Sequence, residues 1–364
     1  MKKSLGVLIV TMVCVTAMLS AQAPGAISER FGLGTFRYQG KTFTGLVLRD
    51  AYVVDLAAAA VASKQQVPGS VLAIIEQYDN GVGDRIKVVV RDVAGRLTAN
   101  RPAYIYDLKA VDALQPFEPR TALYARSNYI DHAAEMDARN ANPTAPDPKV
   151  PPSLPGIWER GANDTRQNPY LFVVPPTIFS GDGDAIQVPL KRSQIDYECE
   201  LVGVMGKPAR RVPVDRLKDY IFGYTQSNDV SDRQNRAPET GGGADWWVQK
   251  GQDTFKPWGP YIVPKEFLDP LNMPIKFTLS GKVLQDDNTK NATHNMYELA
   301  HYASNLLTLR PGDILTIGTP PGVGTARKPP VYMKAGDVSV CAYEGLGTLT
   351  NPIIAESANT TSSR

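Results

Sequence analysis

The chain has 364 residues, with 39 Lys and Arg against 37 Asp and Glu, 43% hydrophobic residues and three cysteines. That length holds one large domain, or a small one and a large one, with a core that needs no staples. A charge balance this close to zero argues against electrostatic capture of nucleic acid or anionic lipid.

Residues 1–23 read as an export leader. Lys2 and Lys3 precede an apolar run from Leu5 to Leu19, and Ser20-Ala21-Gln22-Ala23 supplies an A-x-A cleavage site before Pro24. The run is too short for a bilayer span of about 20 residues, and no later segment could cross one. The expected mature protein is exported, periplasmic in a bacterium, and free of the membrane. Cys14 leaves with the leader. Cys199 and Cys341 sit in strand-like apolar text and are read as buried thiols in preference to a disulfide.

Residues 27–115 are expected to form a small α+β lead-in domain, with short strands in FGLGTFRYQG and FTGLVLRDAYVVDL and a helix near Val71 to Tyr78. A larger domain follows at 121–355. It opens on NYIDHAAEM, where a helix would place His132 and Glu135 on one face; the pair is either a general base with its orienting carboxylate or a surface helix pair. The stretch 141–169, rich in proline and asparagine, reads as an irregular excursion. From Tyr170 onward strands recur at regular spacing, in GDGDAIQVPL, DYECELVGVM, IKFTLSGKVL, GDILTIGTP and GDVSVCAYEGLGTL. One amphipathic helix, Asn295 to Leu307, interrupts them, and the tail 356–364 is expected to be disordered. The fold class is therefore α+β and strand-dominated.

Within DYECELVGVM, strand alternation puts Glu198, Glu200, Val202 and Val204 on one face and Tyr197, Cys199, Leu201 and Met205 on the other. Apolar residues on both faces mark a central strand. Two carboxylates about 7 Å apart on one face repel unless a cation or a proton lies between them, or unless the strand end is wet. With no cysteine or histidine cluster nearby, a cation with oxygen ligands is the metal alternative. Asp229, in GYTQSNDVSDR, is either a third ligand or the cap of a turn. Lys250, in WWVQKGQDTFKPWGP, is a candidate partner for an oxyanion or carboxylate, or a solvated lysine. His294 and His301 read as structural, and the glycines at 241–243 as a flexible loop. The sequence contains no GxSxG, HExxH, CxxC or P-loop, which removes the common serine hydrolases, zincins and NTPases.

Seven stretches, in the order NYIDHAAEM, DYECEL, GYTQSNDVSDR, KGQDTFKPWGP, SGKVLQDDNT, LRPGDILTIGTPPGVG and GDVSVCAYEGLGTLTNP, resemble the fumarylacetoacetate hydrolase family from about Tyr124 to Pro352. LGTFRYQGKTFTGLVLRDAYVVDL resembles the small N-terminal domain common in those enzymes. The resemblance implies a mixed β roll of packed sheets, usually dimeric. It implies Glu198, Glu200 and Asp229 as ligands of Mg²⁺ or Mn²⁺, Lys250 as the active-site lysine, and His132 with Glu135 as a water-activating dyad on a mobile lid. Arg233 matches a residue that contacts the substrate's carboxylate or keto-acid end, and Thr319 a threonine beside the substrate. Val174, Arg236 and Asn291 depart from the family pattern and bear on the substrate more than on the metal. The implied activity is metal-dependent hydrolysis of a carbon–carbon bond in an acylpyruvate-like or 2,4-diketo acid. The alternatives are isomerisation or decarboxylation of 2-oxo or 2-hydroxy-dienoic diacids on the same site, and keto-acid binding without turnover.

Overall fold

The computed structural model describes residues 29–98, 100–140, 151–234 and 245–357. The leader, the glycines at 241–243 and the tail from 358 onward lie outside the described residues. The first part of the chain forms β1 (Phe31–Tyr38), β2 (Lys41–Leu48), β3 (Tyr52–Asp55), α1 (Leu56–Ala62), α2 (Val71–Gln77), α3 (Val82–Ala94), β4 (Ile105–Asp107) and β5 (Asp112–Ala113). Next come β6 (Ala122–Ala125), α4 (Ile130–Asn140), β7 (Leu171–Val174), β8 (Phe179–Ser180), β9 (Ile186–Val188), β10 (Ile195–Asp196), β11 (Cys199–Met205), β12 (Ile221–Asn228) and β13 (Ser231–Asp232). The chain continues through α5 (Trp246–Lys250), β14 (Lys256–Pro264), β15 (Pro274–Leu279), β16 (Lys282–Asn288), α6 (Met296–Leu306), β17 (Ile314–Thr316), β18 (Val338–Tyr343) and β19 (Thr348–Ala355). This is the strand-dominated α+β fold expected. Among the described residues no helix is long and apolar enough to cross a membrane.

A twelve-stranded sheet runs β4-β3-β2-β1-β14-β12-β11-β17-β6-β7, with β5 on β1 and β8 on β14. The lead-in strands thus continue the same sheet as the rest of the chain, through the antiparallel pairing of β1 with β14 at Leu33 and Ile262. A second sheet, β16-β15-β18-β19-β9, packs against it. β11 lies in the interior, every residue buried. Val202 and Val204 join the apolar cluster made with α1, α2 and α3. Cys199, Leu201 and Met205 join the cluster made with the second sheet and α6. Gly203 on that side makes room for the Met296 side chain, whose sulfur would lie 2.6 Å from a Cβ there.

Two helices of the lead-in region, α1 and α3, were not expected. α3 is rich in β-branched residues, which favour strands, yet Val82, Ile86, Val89, Val90 and Val93 recur at helical spacing and are all buried. Burial of that stripe overrides the local preference. α6 matches its expected span, starting from an Asn295 cap whose side chain and Glu298 form a capping box.

The described part of the excursion packs onto the rest of the fold. Over residues 151–169, Trp158 packs edge-on against the His294 ring at 5.1 Å, and Arg166 ion-pairs with Asp164 and Glu298 at 2.9 Å each. This fastens the segment to α6.

The cysteine expectation is corrected. Cys199 and Cys341 form a disulfide with Cα atoms 5.6 Å apart, tying β11 of the large sheet to β18 of the second. Sequence text cannot show this, because the bridge is made by the stacking of two sheets. It closes a separation of 142 residues. Cys341→Ser is expected to lower unfolding free energy by about 2–4 kcal/mol, read as a reduced denaturant midpoint without a change of fold.

Candidate active site

β11 begins at the site. The Asn228 side chain accepts the Glu198 N–H at 2.9 Å, and the Asp229 N–H donates to the Glu198 carbonyl at 2.7 Å. This cross-tie at the mouth of the β11–β12 pair sets Asp229 beside the two glutamates. One carboxylate oxygen from each of Glu198, Glu200 and Asp229 falls within 4.8 Å of the others, and all three side chains are buried. The wet-strand-end alternative is thereby removed.

Three cations surround the cluster. Lys250, at the end of α5, bridges Glu198 Oε2 at 2.9 Å and Asp229 Oδ2. The Arg233 guanidinium pairs with Asp196 at 2.8 Å and with Glu198 Oε1. Lys256, at the start of β14, lies 2.8 Å from Asp229 Oδ1. Glu200 is left out: neither of its oxygens has a hydrogen bond of good geometry, although the side chain is fully buried.

The electrostatics follow this division. Burial disfavours the charged form of Glu198, but Lys250 and Arg233 hold its carboxyl well below the usual carboxylate range. Burial, reinforced by Asp229 and Glu198, pushes the Glu200 carboxyl far above it. Burial also works against the Lys250 ammonium, yet Asp229 and Glu198 keep its pKa above the ordinary lysine value. A divalent cation fits this cluster, since it would satisfy the two orphaned oxygens of Glu200 and the donors are all hard carboxylates.

α4 places His132 and Glu135 over the same region. Its first turn is anchored by buried Asn128, which accepts from the His294 N–H and donates to the His294 and Ile317 carbonyls. His132 Nδ1 is 2.8 Å from Glu135 Oε1; the carboxylate accepts a hydrogen bond from Nδ1–H in the tautomer that leaves Nε2 with its lone pair. Glu135 in turn accepts the backbone N–H groups of Gly322 at 2.9 Å and Val323 at 3.4 Å. The surface-pair alternative is removed, because the His132 side chain is buried.

These groups meet at a cavity of about 420 Å³ whose wall includes His132, Glu198, Arg233, Lys250 and Thr319. Glu135, Glu200 and Asp229 stand directly behind that wall through the contacts above. Phe172 and Trp246, stacked at 4.9 Å, and Met136 of α4 form an apolar side. The Thr319 hydroxyl accepts from Gln285 Nε2 at 2.7 Å and donates to the Cys199 carbonyl at 3.2 Å, so it supports the β11 turn as well as facing the cavity. His301 is structural, with Nδ1 on the Val212 carbonyl, whereas His294 also reaches the cavity wall. Gln167, Asn168 and Pro169 bring the end of the excursion to the rim.

Residues 122–354 match the family described as fumarylacetoacetate (FAA) hydrolase C-terminal. The chain belongs to the fumarylacetoacetate hydrolase family. It is similar to the mitochondrial oxaloacetate tautomerase of Xenopus laevis, at 32% identity over 69% of this chain and 71% of that one. It is also similar to the 2,4-didehydro-3-deoxy-L-rhamnonate hydrolase of a Sphingomonas species, at 38% identity over 50% of this chain and 63% of that one. Among solved structures, the 5-carboxymethyl-2-hydroxymuconate delta-isomerase of Mycobacterium smegmatis aligns with a TM-score of 0.61 and 26% identity, over 90% of this chain and 99% of that one. The protein is thus an enzyme of the fumarylacetoacetate hydrolase family, on a scaffold whose members are named as hydrolases, isomerases and a tautomerase.

All eight residues singled out in the sequence converge here. Missed were Asp196, which fixes Arg233; Gln285, which fixes Thr319; the N–H groups of Gly322 and Val323, which hold Glu135; and Lys256. All of these residues lie inside the quoted motifs. A fully apolar neighbourhood for a charged residue was the signal available for Lys256, flanked as it is by Phe255 and Pro257-Trp258.

Proposed function

We propose that the protein is a divalent-cation-dependent hydrolase that cleaves the carbon–carbon bond of an acylpyruvate-like 2,4-diketo acid. The observation that carries this reading is the oriented His132–Glu135 pair lying over a buried carboxylate triad, since activating water is the one task that hydrolysis adds to cleavage of this kind. Glu198, Glu200 and Asp229 would hold Mg²⁺ or Mn²⁺, which when bound supplies Lewis-acid polarisation of the keto-acid oxygens.

The remaining work falls to the chain's own side chains. His132 Nε2 takes a proton from water while Glu135 stabilises the resulting imidazolium. The hydroxide adds to the acyl carbonyl, and the Lys250 ammonium, released from its carboxylates, donates to the oxygen that becomes negative. Arg233 reads the substrate carboxylate with Nη1, the nitrogen not engaged by Asp196 or Glu198. The bond between the acyl carbon and the keto-acid fragment then breaks. Its electron pair leaves on that fragment, which takes the proton back from His132, giving a carboxylic acid and a 2-oxo acid.

An absorbance assay over a panel of acylpyruvates and 2-hydroxy-dienoic diacids, with Mg²⁺ or Mn²⁺ and with a chelator, tests this. The expected result is cation-dependent loss of the diketo-acid chromophore. Isomerisation of the diacids with every acylpyruvate left intact would overturn it in favour of the isomerase alternative, and binding without turnover across the panel in favour of a keto-acid-binding protein.

A further inference from the structure

We propose that Lys256 is a positioning residue for the cation site: it keeps an ion pair on one oxygen of Asp229 and so biases the site toward Mg²⁺ over Ca²⁺. The inference rests on the cation reading above.

Lys250 and Lys256 both contact Asp229, but they differ in what else holds them. Lys250 Nζ reaches the carboxylates of Glu198 and Asp229 and lies over the rings of Phe172 and Trp246, on the cavity wall. It has room to swing into the cavity when a cation or substrate arrives. Lys256 has none. Its side chain is fully buried, and besides Asp229 Oδ1 at 2.8 Å its Nζ faces the backbone carbonyls of Lys250 at 2.9 Å, Phe255 at 3.1 Å and Val230 at 3.3 Å. Burial lowers the Lys256 pKa while Asp229 opposes that shift; a neutral amine has two N–H donors and an ammonium three, so four oxygens around one nitrogen suit the ammonium. Three of the four belong to the main chain and cannot turn away.

The consequence is an asymmetric Asp229. Oδ2 faces the movable Lys250 and can be surrendered, while Oδ1 stays with a fixed positive charge. The carboxylate therefore offers a cation one oxygen. Mg²⁺ takes six ligands and is content with single oxygens and water, whereas Ca²⁺ takes six to eight and draws on carboxylates that offer both. A fixed ammonium beside the triad also weakens attraction for any divalent ion, and its removal should strengthen both.

Calorimetric titration of the full chain with MgCl₂ and with CaCl₂, before and after Lys256→Met, tests the inference without any assay of turnover. The expected result is tighter binding of both ions, with the ratio of their dissociation constants moving about tenfold toward Ca²⁺. A merely structural role would lower the melting temperature and leave the ratio alone. A ratio within about threefold of the parent's, or one that moves toward Mg²⁺, overturns the inference. Lys256→Gln is titrated in the same way should the methionine variant fail to fold. If the parent chain binds neither ion, the cation reading itself fails, and the two failures are told apart by that control.

Discussion

Glu200→Gln is expected to abolish divalent-cation binding at micromolar to millimolar concentrations while leaving the cation-free protein at least as stable as the parent. The two halves of this outcome have one cause. Glu200 is fully buried, has no hydrogen bond of good geometry, and faces the like charges of Glu198 and Asp229. Without a cation its carboxylate is uncompensated, so it is held far above the ordinary carboxylate pKa. A glutamine amide is neutral like that protonated carboxyl and can donate to the same neighbours, so the cation-free fold loses nothing by the exchange. With a cation the signs reverse, because one of three hard ligands is gone. Removing an outer-shell partner already costs a metal site 10- to 100-fold in affinity, and loss of a direct ligand should exceed roughly 100-fold. Thermal melts with and without Mg²⁺ read both effects together. A cation-free melting temperature that falls by several degrees would show that Glu200 is serving the fold, and retained tight binding would remove it from the ligand set.

His132→Ala is expected to slow acylpyruvate hydrolysis by about 10²- to 10⁴-fold, the usual contribution of a positioned general base. Decarboxylation of oxaloacetate by the same preparation should survive, because that reaction needs no activated water. Cation affinity should also be unchanged, since His132 touches Glu135 and none of the triad by hydrogen bond. Measuring all three on one variant separates a missing base from a damaged site. Loss of both reactions together, or survival of both, would refute the division of roles between the dyad and the triad.

What could be read in the sequence was whatever short-range periodicity carries. Alternation along β11 placed Glu198 and Glu200 on one face, and the three-residue spacing placed His132 and Glu135 on one face of α4; both arrangements are present. What escaped depends on contacts between distant segments. The Asp196–Arg233 and Gln285–Thr319 pairs are made by strand pairing and sheet stacking, and nothing local distinguishes these polar residues from solvated ones. The disulfide escaped for the same reason, because its two strands meet only when the second sheet packs on the first. α3 escaped for a different one: its valines favour a strand locally and adopt a helix because the lead-in sheet needs its open face covered.

The Glu135 carboxylate serves two masters. It orients His132, and it is also what fastens α4 to the Gly322–Val323 backbone. Were α4 to lift, those N–H groups would be surrendered, water would reach the carboxylate, and the imidazole would lose its fixed tautomer. Arming and closure would then be a single event, an interlock rather than two steps in sequence. In the proposed reaction, water would be activated only once the cavity is shut, which protects a reactive keto acid from attack before it is seated.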